Sequence, residues 1–193
     1  MPRTFRLLSA LAVALASVLA PESVAAQTPA APTVVIIVRH AEKAAQPAND
    51  PPLTETGVAR ARALVIALAD AKIDVVMHTP TTRTRETARP VAEKFGLTPE
   101  IVPLGPALIH AAALAEMVRR HPGKTILVVG HSNTIMPYVA ALGGPTRTDL
   151  CDHEYDGLYT LVLDGSSARL IESHYGPPNP VPTSSCATPR MRP

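Results

Sequence analysis

The sequence has no surplus of charge of either sign. Its 193 residues carry 18 Lys and Arg against 16 Asp and Glu, a formal net charge of +2. A protein that grips nucleic acid through its phosphates needs a basic face. This balance offers none, so no nucleic-acid partner is expected. Cysteine is scarce, with only Cys151 and Cys186 present. There are no internal repeats, which sets aside solenoids and arrays. Past the first 26 residues no apolar run is long enough to span a bilayer, so no transmembrane segment is expected there.

The one long apolar run is at the beginning. Arg3 and Arg6 precede an uncharged stretch from Leu7 to Ala20, and Val24-Ala25-Ala26 comes next. A short basic segment, an apolar core and a small-residue site make a secretory signal peptide. Residues 1–26 are therefore expected to be removed and the product exported, periplasmic or secreted, with no stable membrane association after cleavage. What is left is 167 residues, enough for one domain with a core of its own. Setting aside Arg3, Arg6 and Glu22 leaves 16 basic and 15 acidic residues. Oxidising surroundings make a Cys151–Cys186 disulfide the expectation for the cysteine pair.

The rest of the chain alternates strand and helix patterns. Val34 to Val38 is a continuous run of Val and Ile, as in a strand buried on both faces, and it ends abruptly in Arg39-His40. Thr54 is a helix cap, with Val58, Ala61, Leu64, Val65, Leu68 and Ala69 on one face and Arg60 and Asp70 off it. Ile73 to Met77 is a second strand. Thr79-Pro80 opens a helix to about Phe95, with Pro90 predicting a kink or an early end. Leu97 to Val102 is a third strand, and Ala107 to Arg120 a helix with Leu108, Ala111, Leu114, Ala115 and Val118 on its apolar side. Thr125 to Val129 is another buried strand ending at Gly130-His131, and Ser132 or Asn133 caps a helix to about Leu142. Leu158–Leu163 and Ala168–Ser173 make a hairpin through Asp164-Gly165. The fold class is α/β: three layers, a mostly parallel sheet with helices on both faces. The domain is expected over residues 27–176. Residues 177–193 hold six prolines and no apolar periodicity, so they are expected as an irregular tail too poor in apolar side chains to dock itself.

The chemistry gathers at strand ends. In such sheets ligands bind at the carboxyl edge, where Arg39, His40, Arg83 and His131 would converge. Arg forks match phosphate oxygens, and a neutral imidazole can attack phosphorus and hold it covalently. The set describes a pocket for a phosphoryl group. His110, His121, His153 and His174 are expected at the surface, and Arg85 and Arg89, turned off the pocket side by their spacing from Arg83, at the surface or as charges behind the pocket. Asp152-His153-Glu154 lacks the spacing of a metal site, so no metal and no cofactor is expected.

Four motifs in order resemble the histidine phosphatase, or phosphoglycerate mutase-like, superfamily, and in particular its compact phosphatases. They are VRHAEK around His40, PLTETG at Pro52 to Gly57, HTPTTRTRETA at His78 to Ala88 and VVGHSNT at Val128 to Thr134. The resemblance implies His40 as the nucleophile that becomes phosphohistidine, Arg39 and Arg83 as phosphoryl ligands, and His131 as donor to a non-bridging oxygen. It implies a metal-independent phosphatase acting on a small phosphate ester. A mutase-like phosphotransferase and a phosphate-ester binding protein without turnover are the alternatives. Only Leu97 to Lys124 separates the second helix from the last buried strand, too little for a mutase's lid. The family's usual proton donors have no obvious counterpart: Ser132 and Asn133 come directly after His131, which leaves Glu42 and His110 as candidate acids giving partial help.

Overall fold

The computed structural model describes residues 31–165 and 167–181. The expected signal peptide and Cys186 lie outside them. Cys151 is not a free thiol, and its pairing with Cys186 stays an expectation.

Ten elements succeed one another: β1 Thr33–Arg39, α1 Glu55–Ala67, β2 Val75–His78, α2 Thr82–Phe95, β3 Glu100–Ile101, α3 Ala107–Arg119, β4 Thr125–Gly130, α4 Ile135–Ala141, β5 Gly157–Asp164 and β6 Ser167–His174. They build one six-stranded sheet in the order β3-β2-β4-β1-β5-β6. The first four are parallel to one another, and β5 and β6 run antiparallel at the β1 side. The α/β expectation holds, and the hairpin accounts for the antiparallel edge.

Alternation along β1 explains why its residues are all apolar. Val35 and Ile37 point into one core with Leu114, Ile135 and Tyr138, from the α3 and α4 side. Ile36 and Val38 point into the other with Leu64 and Val91, from α1 and α2. A strand sandwiched between two helical layers has no polar face to keep.

Several boundaries and faces differ from expectation. In α1, Thr54 caps as expected, its hydroxyl accepting from the Gly57 amide. The buried face, however, is Gly57, Arg60, Ala61 and Leu64, while Val58 is 40 % exposed. Arg60 lies inward because a carboxylate waits for it there. Gly57 is required by packing, since a Cβ would lie 2.2 Å from the Glu42 carbonyl oxygen. α2 begins at Thr82 rather than Thr79-Pro80, because Asp50 Oδ1 accepts the Thr82 amide at 2.9 Å. It then runs through Pro90 to Phe95. The third strand shrinks to two residues, after Pro99, which has no amide to pair. α4 begins at Ile135 after a turn in which the His131 carbonyl accepts from Thr134 and Ile135.

Candidate active site

Register brings the strand ends together. Arg39 pairs with Gly130 and His78 with Val129, so the residues just beyond them, His40, His131 and Thr79, share one edge. The His40 amide donates to the Gly130 carbonyl at 2.9 Å. The two imidazoles then sit edge to face, with ring centroids 5.5 Å apart. Gly130 has no room for a side chain: a Cβ would meet Thr134 Oγ1 at 2.7 Å and the Tyr138 ring at 2.8 Å.

His40 is 3 % exposed. Its Nδ1 lies 2.8 Å from its neighbour Ala41's carbonyl oxygen. A carbonyl can only accept, so Nδ1 carries the proton and Nε2 keeps a lone pair. The Ala41 amide donates to Thr87 Oγ1, whose hydroxyl donates to the Arg83 carbonyl, tying the nucleophile's loop to α2. Burial pushes the His40 imidazole down to about 3. The Ala41 bond opposes this, while the charges of Arg39, His131 and Arg83 add to it.

His131 is held from two sides. Arg83 Nη2 donates to its Nδ1 at 3.3 Å, which places the proton on Nε2, 2.8 Å from Thr79 Oγ1. Thr79 Oγ1 lies 3.0 Å from Thr84 Oγ1, whose hydroxyl donates to the Thr79 carbonyl at 2.7 Å. Burial, then Arg83, His110 and Arg39, pushes His131 down to about 4.

The two arginines flank this pair, each depressed below its ordinary value by burial. Arg39 gives Nη1 to three carbonyls, of Cys151 at 2.8 Å, Asp152 at 3.1 Å and Glu154 at 3.0 Å. Its guanidinium stacks 4.0 Å from the Tyr155 ring, and Tyr155 meets the His40 ring at 6.2 Å. Arg83 has Asp50 Oδ1 at 3.8 Å. The Nε atoms of both arginines are buried without a partner. Replacing Arg83 by Lys keeps charge but loses a planar fork. It is expected to lower kcat/KM about tenfold or more, measured on a chromogenic phosphate ester.

Sequence reasoning named Arg39, His40, Arg83 and His131, and the structure brings them together. It does not bring the two candidate acids. Glu42 gives both carboxylate oxygens to Arg60, with Arg60 Nη2 at 2.6 Å from Oε1. His110 is not at the surface but 3 % exposed, its Nδ1 2.6 Å from the Pro103 carbonyl oxygen and its Nε2 taken by the Tyr138 hydroxyl. Neither has a free proton-donating position facing His40. Asp50 lies at the rim, but hydrogen bonds from Thr82 hold its carboxyl below the usual range, with Arg83 adding, so it is a carboxylate and not a donor. Tyr155, Thr79 and Thr87 were missed. For Tyr155 there was a signal: β5 runs antiparallel to β1 and must start at the edge where β1 ends.

The fold has counterparts among known proteins. Residues 35–104 match the model of the histidine phosphatase superfamily (branch 1). No curated protein matches the chain. Among solved structures, the protein histidine phosphatase SixA complexed with tungstate superposes with a TM-score of 0.58 at 22 % identity, covering 73 % of this chain and 96 % of its own. YhfR from Bacillus stearothermophilus gives 0.56 at 20 %, covering 72 % and 95 %. A phosphoserine phosphatase mutant from Entamoeba histolytica, in complex with phosphoserine, gives 0.55 at 14 %, covering 74 % and 96 %. Over residues 35–104 the chain is thus similar to the histidine phosphatase superfamily, and these solved structures share its fold.

Proposed function

We propose that the protein is an exported phosphomonoesterase that works through a phosphohistidine on His40. The observation that carries this reading is the tautomer of His40: Nδ1 is committed to the Ala41 carbonyl, so Nε2 keeps its lone pair on a ring that lies beside His131 and feels the charges of Arg39 and Arg83. In the first step Nε2 bonds to phosphorus as the ester oxygen leaves with the P–O electron pair and takes a proton from water. Arg39 and Arg83 offset charge on the non-bridging oxygens, where positioning and electrostatics do most of the work. His131 donates to one of these oxygens. A proton on Nδ1 would serve this, so substrate replaces the Arg83 contact while Thr79, able to donate or accept, supports Nε2. In the second step water attacks the phosphohistidine, breaking N–P, and His40 recovers its lone pair as phosphate departs. Candidate substrates are envelope sugar phosphates, small extracellular phosphate esters and phosphohistidine. The neighbours named as a protein histidine phosphatase and a phosphoserine phosphatase are compatible with the last two. Export rests on residues 1–26; no helix of the described residues is long and apolar enough to cross a membrane.

A general acid typically contributes about 10²–10⁴-fold. With Glu42 and His110 both committed elsewhere, no strong dedicated acid is expected. Phosphate release measured over a metabolite panel and an aryl-to-alkyl ester series tests this. Rates should fall steeply as leaving-group pKa rises. A flat dependence would show that an acid is at work, and no release from any member would end the phosphatase reading.

A further inference from the structure

The carbonyls that hold Arg39 belong to the loop 151–156, which contributes nothing to either hydrophobic core. Its shape is held by polar contacts. The Glu154 amide donates to the Cys151 carbonyl at 3.0 Å, and Glu154 Oε2 accepts from the Cys151 amide. The Leu150 amide anchors the start of the loop on the Ser132 carbonyl at 3.1 Å, and Cys151 is not a free thiol; the 155–156 end is supported from beyond the last strand. Asn179 Oδ1 accepts the amides of Tyr155 at 2.7 Å and of Asp156 at 3.0 Å, and its Nδ2 donates to Asp156 Oδ1 at 2.7 Å. The adjoining segment is fixed too: the Tyr175 amide donates to the Asp156 carbonyl, and the Pro177 carbonyl accepts from Arg60. The start of the expected irregular tail is thus docked, by polar groups rather than apolar ones.

We propose that Asn179 is a positioning residue for phosphoryl recognition. It clamps Tyr155 and Asp156, and so sets the carbonyls that take Arg39 Nη1 and the ring that backs the guanidinium. With Nη1 committed, the fork left for two phosphate oxygens is Nε and Nη2, and Nε is buried with no other partner. Losing Asn179 leaves two consecutive amides without the acceptor they share, which loosens the 155–156 end of the loop and tilts the fork. This rests on the phosphatase reading, because it supposes that the pocket takes a phosphoryl group.

The test uses the full chain and two probes, inorganic phosphate and a chromogenic ester. Asn179→Ala is expected to raise the inhibition constant of phosphate and the KM of the ester about tenfold, with a smaller change in kcat. Asn179→Asp keeps the two amide contacts but sets a carboxylate against Asp156. Adding Asp156→Asn exchanges donor and acceptor across the same contact and should restore phosphate affinity to within about threefold of wild type, with Asp156→Asn alone as control. Calorimetric phosphate binding serves as a readout independent of turnover, and covers the case where Asn179→Ala does not fold by using the two aspartate variants. Wild-type phosphate affinity in Asn179→Ala would overturn the proposal. So would equal affinities in Asn179→Asp and the double variant, or no phosphate binding by the wild-type protein. Phosphate binding without ester turnover would sink the phosphatase reading and leave the clamp standing.

Discussion

His40→Ala is expected to lower kcat by about 10⁴-fold or more, the scale seen when a covalent nucleophile is deleted. Geometry is the first reason. Nδ1 is fixed on the Ala41 carbonyl at 2.8 Å, so the attacking lone pair is on Nε2 in every resting molecule. Electrostatics is the second. A neutral imidazole is needed, and burial with Arg39, His131 and Arg83 nearby holds the resting His40 at about 3. The neutral form is present above that value, so activity should not fade as pH drops through the ordinary histidine range near 6.5. Titrating the His40 ring by NMR separates its protonation from the second ionisation of a phosphate ester near 6. A base-quenched single turnover with ³²P-labelled substrate should leave label on His40. Label on another residue, or full turnover by His40→Ala, would reject the assignment. A His40 titration near 6.5 would reject the electrostatic account.

The parts of this site that could be read in the sequence are those that lie next to a strong local pattern. The run Val34 to Val38 announces a doubly buried strand, and the residues just past such a strand stand at a sheet edge. That logic finds Arg39, His40 and His131 without any tertiary information. It fails wherever a side chain is satisfied by a distant segment. A helical wheel puts Arg60 outside because it counts apolar side chains and cannot see Glu42, which arrives from another loop. His110 looks like a surface residue for the same reason: its partners, the Pro103 carbonyl and the Tyr138 hydroxyl, come from a loop and another helix. Leu108, expected on the apolar face of α3, is instead 85 % exposed in the helix's first turn. Tyr155 and Asn179 sit in loops with no periodicity, and their roles exist only once the hairpin β5–β6 has carried residue 179 back beside residue 155.

Glu42→Gln is expected to cost about 3–5 kcal/mol in stability, the range for removing one partner of a buried ion pair. For a domain of this size that is a fall in Tm of roughly 6–20 °C. Arg60 has 0 % side-chain exposure and Glu42 13 %. The guanidinium gives Nε to both Glu42 oxygens at 3.0 Å and Nη2 to Oε1 at 2.6 Å, while Nη1 reaches the carbonyls of Tyr175 at 3.2 Å and Pro177 at 2.8 Å. A neutral amide leaves the cation buried without a counter-charge, facing carbonyls that cannot neutralise it. Combining Glu42→Gln with Arg60→Met removes both charges and keeps an apolar stem of similar length. The double variant should therefore lose much less than the two single losses added together, as is found when a buried pair is replaced as a unit. The same experiment decides what Glu42 does in catalysis. If it anchors α1 behind the nucleophile, Glu42→Gln keeps kcat within about tenfold when assayed well below its lowered Tm. If it were the proton donor, turnover of alkyl esters would fall about 10²–10⁴-fold while Tm stayed near wild type. Thermal melts and kcat measured on one preparation distinguish the two, and an unchanged Tm with lost alkyl-ester turnover would return Glu42 to the mechanism.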